Sequence, residues 1–366
     1  EIAQCLVGSE MCIRDSPWAL CRQHHYRHRE EMTTAQPEKA SRLIFIDITK
    51  AFAIILVVVG HWNPDNAPVW WAETVNVIYT FHMPLFLAMS GYLYMHTHKA
   101  QSYLHLVRKK ILRLMLPYLI VSLIIILIKT LTQGVAYVEN PVTPSTVFRI
   151  FYYPSAGYFL WFIWTLFELF LIMPALKSSN SRIIAFIIAS VASYVPFNAP
   201  ETFCLGQTQR MAVFFFAGVM LHDFKIISKL TSGAISLIAI IFVASEIAVV
   251  ITGSSVAELP AFLSVLLFPA ISSKIEQFLH GQWRRAILSL AAASYVIYLF
   301  HTTFEGLAKS VVFKLVAAPM ATLPFIGASV AIIACGIAAP WWLYTDIFRK
   351  FKATRLMFGL KADKAE

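Results

Sequence analysis

Residues Ile44 to Trp62 read IFIDITKAFAIILVVVGHW, an apolar run that nevertheless carries Asp47, Lys50 and His61. About 20 such residues cross the hydrocarbon core of a bilayer, and an ionisable group inside that core is costly enough to mark function. At 100° per residue, the eleven steps from Lys50 to His61 end about 20° past three full turns, and the fourteen from Asp47 end about 40° short of four. All three side chains therefore share one face. With 1.5 Å of rise per residue, Lys50 and His61 stand roughly 16 Å apart along the axis, too far to bond each other but suited to gripping two ends of one extended ligand.

The rest of the chain has the same solvent preference. Of its 366 residues, 58% are hydrophobic and 14% charged, 28 are Phe, and the mean hydropathy is +0.66. That composition belongs to an all-α, polytopic membrane bundle. Apolar runs place ten spans near 43–62, 75–95, 114–132, 157–176, 182–197, 211–224, 234–252, 256–273, 286–304 and 322–344. Loop charge orients them. One set of alternate loops holds twelve cations (Lys99, Arg108, Lys109, Lys110, Arg113, Lys177, Arg182, Lys225, Lys229, Lys274, Arg284, Arg285), whereas the other holds five (Lys129, Arg149, Arg210, Lys309, Lys314). By the positive-inside rule the first set is cytoplasmic, and with an even span count both basic termini are cytoplasmic too. The formal charge of +10 thus reads as anchoring against anionic lipid headgroups and not as a nucleic-acid footprint.

Four segments follow: a leader over 1–31, a cytoplasmic segment over 32–42, the ten-span domain over 43–346 and a basic cytoplasmic tail over 347–366. The leader stretch CLVGSEMCIRDS (Cys5 to Ser16) looks like a translated library adapter, and Met32 like a natural start; the other reading is a disordered basic tail. The segment after Phe348 reads as solvated and juxtamembrane. Three of the five cysteines lie in the leader, leaving Cys204 and Cys335, too few for a disulfide framework or a metal cluster. No signal peptide and no internal repeat are visible, and the Lys50-to-His61 pattern occurs once. Many carriers are built from two related halves, so a lone pattern argues against transport.

Further polar residues interrupt later spans. Tyr79 to Tyr94 (YTFHMPLFLAMSGYLY) contains His82 and Pro84, the proline freeing a backbone carbonyl. His82 either bonds such a carbonyl or orients His61 and donates to an oxyanion. Ser90 and Gly91, near the cytoplasmic side, let a helix or a ligand chain come close. The third span opens with RKKILRLMLPY, whose Arg108, Lys109, Lys110 and Arg113 either signal topology or receive a polyanionic cofactor. His301, with Thr302 and Thr303, ends the ninth span at the outer face, lining an acceptor site or merely sitting at the interface. Glu168 and Glu246 lie within the fourth and seventh spans as partners for a buried cation or as acid/base groups. Trp70, Trp71, Trp341 and Trp342 read as an interfacial belt.

The strings RLIFIDITKAFAIILVVVGH (Arg42 to His61), FHMPLFLAMSGY (Phe81 to Tyr92), RLMLPY (Arg113 to Tyr118), YFLWFIWTLF (Tyr158 to Phe167) and SYVIYLFH (Ser294 to His301) together resemble the acyltransferase-3 family, over Arg42 to about Tyr344. The FHMP form is most similar to the branch related to fucose 4-O-acetylases. The resemblance implies a ten-span bacterial inner-membrane enzyme that passes an acyl group from cytoplasmic acyl-CoA to a hydroxyl on the far side. It also implies Arg, ten residues, then His on the first span. Here His61 holds the histidine position but Lys50 the arginine position, which keeps the charge and loses the bidentate fork.

Acyl transfer from a thioester to a sugar hydroxyl needs a base, donors for the oxyanion and positive charge for the CoA phosphates. On this reading His61 is the base and His82 its catalytic partner. Lys50 and Arg113 hold the CoA phosphates, with Ser90 beside the donor chain. Asp47 orients Lys50 through an i, i+3 pair, while Glu168 and His301 support. The expected donor is acetyl-CoA or another acyl-CoA, and the acceptor a polysaccharide or lipid-linked sugar such as an exopolysaccharide or lipopolysaccharide precursor. No metal and no nucleic acid are expected. The competing class is a polytopic transporter or exporter of glycan or small molecules.

Overall fold

A backbone dissolved in lipid must satisfy its own hydrogen bonds, so long apolar runs have to become helices. In the computed structural model, which describes residues 42–64, 67–98, 101–133, 141–196, 201–253, 258–315 and 322–360, they do. The readings made of the 1–31 leader, of 32–41, of Lys99 and of the last six residues lie outside the described part. Among the described residues ten long helices follow one another: α1 Ile44–His61, α2 Val69–Thr97, α3 Tyr103–Thr132, α4 Tyr158–Ala175, α5 Ser179–Ser193, α6 Leu205–Asp223, α7 Ser232–Thr252, α8 Glu258–Phe278, α9 Gly281–Leu315 and α10 Thr322–Phe348. Among the described residues there is no β-strand.

Each of the ten sequence-derived spans falls on one of these helices. Seven of them (α1, α3, α4, α7, α8, α9 and α10) are long and apolar enough to cross a membrane by length and composition. The protein is therefore an all-helical, multi-pass membrane protein. Helix α5 has only 15 residues, and α2 and α6 are diluted by polar side chains, so by that measure the count of ten stands at seven.

Helix α1 is the hub. It packs against α2, α8 and α9, and Ala53, Ile54, Val57 and Val58 on it are completely buried. Polar contacts fix its register at both ends. Thr49 Oγ1 lies 2.8 Å from the Phe45 carbonyl and 2.9 Å from Ser272 Oγ on α8. At the other end, the Trp62 indole donates to Ser329 Oγ on α10 at 2.8 Å. In lipid there is little hydrophobic drive between helices, so close packing and such interhelical bonds carry the assembly.

The tightest helix contact explains one of the sequence motifs. A Cβ placed on Gly91 of α2 would stand 2.1 Å from the Phe215 carbonyl oxygen of α6, and one on Gly218 of α6 would stand 1.8 Å from the Ala88 oxygen of α2. The two backbones touch there, which only glycine permits. The space beside the Ser90-Gly91 pair is thus taken by a helix, and Ser90 itself donates to the Phe86 carbonyl at 2.8 Å. Nearby, Arg182 Nε donates to Asp223 Oδ2 at 2.6 Å and ties α5 to the end of α6.

Two prolines shape helices that matter below. Pro84 sits inside α2, and Pro117 follows a π-helical turn over Ile111–Met115 in α3. Pro117 lacks the N–H that an α-helix would offer to the carbonyl of Arg113. The Tyr295 hydroxyl of α9 donates to that carbonyl instead, at 3.2 Å.

The described part of the segment after Phe348 is mostly exposed, but it is anchored at one residue. It turns back as a short helix, Lys352–Met357, and Phe358 is only 3% exposed, stacked on Phe348 at 4.1 Å and touching Phe300 at 5.6 Å. Aromatic burial outweighs the hydration of the few charges around it, since each large ring removed from water contributes about 1.5–3 kcal/mol.

Candidate active site

Three histidines from three helices converge. His61 closes the last turn of α1, His82 lies mid-way along α2 and His301 lies in α9. The His61 and His301 rings are 4.7 Å apart, edge to face. Tyr79 bridges to the third, 6.1 Å from His61 and 4.9 Å from His82. Phe159, at the start of α4, closes the other side, 6.1 Å from His61 and 5.3 Å from His301. All three imidazoles are near enough to feel one another's charge.

The backbone sets the same tautomer in each. Nδ1 of His61 lies 2.8 Å from the Val57 carbonyl, Nδ1 of His82 lies 2.7 Å from the Ile78 carbonyl, and Nδ1 of His301 lies 2.8 Å from the Tyr298 carbonyl. A carbonyl only accepts, so in every case Nδ1 must carry the proton and Nε2 is left with its lone pair. The carbonyl that Pro84 strips of its helical donor belongs to Thr80, four residues back, so His82 is not filling the gap left by the proline.

Nε2 of His82 and Nε2 of His301 are buried with no hydrogen-bond partner among the described residues, as is Oε1 of Glu305. Glu305 follows His301 by one helical turn, is 5% exposed, and interacts electrostatically with Tyr79. Its carboxyl packs over Gly336 of α10, where a Cβ would meet Glu305 Cγ at 2.8 Å and Val58 Cγ1 at 3.0 Å. Leaving a buried polar atom unpaired costs about 1–3 kcal/mol. Three in one neighbourhood are a cost to folding, and such costs persist where chemistry uses the atoms.

Helix α9 acts as the spine of the site. Tyr295 bonds the Arg113 carbonyl, the Tyr298 hydroxyl donates to the Phe159 carbonyl at 2.5 Å, and His301 meets His61. Spaced three residues apart, these groups descend one side of the helix, so the level of Arg113 and the level of the histidines differ by roughly 9 Å.

A family profile described as an acyltransferase domain matches residues 43–345. The chain belongs to the acyltransferase-3 family. Among curated proteins, this family member is 32% identical over 168 residues to the nodulation protein NolL of Mesorhizobium japonicum, covering 44% of this chain and 43% of that protein. It is also 40% identical over 86 residues to the nodulation protein NolL of Sinorhizobium fredii, covering 22% and 23% of the two chains. These matches span less than half the length of either relative. No solved structure matches.

The motifs that carried the family resemblance now have physical roles. SYVIYLFH supplies Tyr295, Tyr298 and His301; YFLWFIWTLF supplies Phe159; and RLMLPY supplies the π turn and Tyr118, whose hydroxyl donates to the Ile150 carbonyl at 2.7 Å. The remaining candidates lie elsewhere. Asp47 and Lys50 are half-buried on the first turns of α1. Arg113 lines a basic cavity with His105, Arg108 and Lys109, and neither Lys50 nor Ser90 is part of its lining. Glu168 bonds Thr208 of α6, and Glu246 accepts from Thr80 at 2.7 Å. Glu305 and Tyr79 were not singled out from the sequence. The span boundary at 304 hid Glu305, although its i+4 spacing from His301 puts both on one helix face. Among the described residues, no group of three or more His, Cys, Asp or Glu could hold a metal ion.

Proposed function

We propose that the protein moves an acyl group, acetyl foremost, from cytoplasmic acyl-CoA to a hydroxyl of a polysaccharide or its lipid-linked precursor at the outer face of a bacterial inner membrane. The observation that carries this reading is the pairing of half-buried His61 with buried His301, each held by a backbone carbonyl so that Nε2 is the free face of the ring. His61 is the base. Its Nε2 takes the proton from the acceptor hydroxyl as that oxygen attacks the thioester carbonyl. The C–S bond then breaks, and the departing sulfur receives the proton back from the imidazolium, so that thiol and ester leave with atoms balanced. His82 and His301 line the same space. Glu305, one turn from His301, is a positioning residue whose buried carboxyl group packs over Gly336 and reaches Tyr79, the ring that bridges His61 and His82.

An opening for the acceptor lies beside Tyr79. A cavity of ≈ 510 Å³ is walled by Glu73, Asn76, Tyr79 and Thr80 of α2 and by Val249 and Val250 of α7. Its mix of amide, hydroxyl, carboxylate and aromatic face suits a sugar, and the Tyr79 ring is shared with the histidine cluster. Lys50 and Arg113 serve the donor in this reading, with Asp47 one turn from Lys50. Ser90, committed to Phe86 and screened by α6, is left with packing.

The test is restoration of surface-polysaccharide acetyl esters in a deletion strain, with membrane levels matched. Wild type restores them and His61→Ala does not; purified wild type releases thiol from acetyl-CoA. Full acetylation by His61→Ala would end the mechanism, and the absence of thiol release from wild type would end the donor assignment.

A further inference from the structure

The cavity that Arg113 lines is not made by the membrane helices alone. Its ≈ 440 Å³ are bounded on one side by His105, Arg108, Lys109 and Arg113 of α3 and on the other by Arg355 and Gly359 of the segment after α10. The lining includes four permanent cations and no carboxylate. Phosphate esters are the ligands such a lining recognises, and arginine forks bind them bidentately.

The distal wall is built to stay in place. Gly359 has φ +63, and a Cβ there would stand 2.6 Å from Arg113 Cα and 2.8 Å from its carbonyl oxygen, so only glycine closes onto the π turn. Phe358 is locked between Phe300 and Phe348. Arg355 spends one of its five N–H donors on the Arg349 carbonyl at 2.8 Å, and its side chain lines the cavity. The Arg113 carbonyl on which Gly359 rests is the one bonded by Tyr295, two turns before His301 on α9. One helix therefore links this cavity to the catalytic histidines, which favours a ligand reaching both over a lipid headgroup needing only the first.

We propose that residues 355–360, beyond the matched acyltransferase domain, complete the donor site, and that Arg355 binds the phosphates of the acyl-CoA nucleotide. This rests on the acyl-CoA reading above. The probe is adenosine 3′,5′-bisphosphate, titrated into the full-length protein in phosphatidylcholine nanodiscs and in nanodiscs containing phosphatidylglycerol, with acetyl-CoA turnover measured in parallel. Arg355→Ala is expected to weaken binding about tenfold or more, the loss of one charge-assisted hydrogen bond. It should raise the KM for acetyl-CoA by a similar factor and leave kcat and the acceptor KM unchanged. Lys352→Ala, which removes a charge from the same short helix but not from the lining, should change binding less than about twofold.

Equal affinity of Arg355→Ala and wild type, or an equal loss in Lys352→Ala, overturns the proposal while leaving the enzyme reading intact if turnover persists. Binding abolished by phosphatidylglycerol in wild type would assign the cavity to a lipid headgroup instead. If wild type neither binds the probe nor turns over acetyl-CoA, it is the donor reading that has failed.

Discussion

The two ends of the stretch of helix α9 from Tyr295 to His301 differ in almost every physical respect. At the histidine end, His82, His301 and Glu305 are at most 5% exposed, and each leaves a polar atom unpaired among the described residues. At the basic end, arginines and a histidine border an open cavity whose wall is a folded-back peptide. One environment is dry and fixed, so electrostatic interactions there are strong and preorganised. The other is wet and cationic, so it captures and steers but cannot lower a barrier by much. Under the proposed function the difference separates docking from chemistry along a single helix, with Tyr295 and His301 about 9 Å apart along its axis.

That separation is breakable. The largest effect should come from His61→Ala, expected to lower kcat by about 10²–10⁴, the ordinary worth of a general base, with little change in the KM for acetyl-CoA. Steady-state thiol release checks it, and a KM effect without a kcat effect would erase the contrast between the ends. Next comes Glu305→Gln, which exchanges the buried carboxyl group one turn from His301 for an amide. A loss of up to about tenfold in kcat, the worth of one misplaced buried polar group of roughly 1–1.5 kcal/mol, is expected, whereas unchanged turnover would leave Glu305 with packing alone.

Gly218→Leu should strike both ends together, because its side chain would enter the Ala88 backbone of α2. A destabilisation of about 1–3 kcal/mol or more is expected, read as a lower unfolding midpoint in detergent and as less folded enzyme, with unchanged kinetics per folded molecule. The smallest effect is that of salt. Raising ionic strength from about 0.05 to 0.5 M should increase the acetyl-CoA KM several-fold through screening and leave kcat alone; a fall in kcat instead would place exposed charge in the chemistry.

Much of this was legible in one dimension. The apolar period and length located ten helices, and the cost of ionisable groups in lipid singled out His61, His82 and His301 before any packing was known. The burial of Phe358 was not legible, because it reads as one aromatic among charges until Phe300 and Phe348 are brought beside it. Nor was the role of Gly91, whose partner Gly218 lies 127 residues away.

What the sequence by itself determined is local: which segments leave water, which carry ionisable groups across the membrane, and how residues on one helix share a face. Those properties follow from hydration and the 3.6-residue period. Only the tertiary structure decided which faces meet. It set His61 against His301, put Glu305 and Tyr79 beside them, and folded Arg355 and Gly359 onto Arg113. In lipid, helix pairing depends on fine steric fit and not on a hydrophobic gradient, and fit of that kind has no periodicity to be read along the chain.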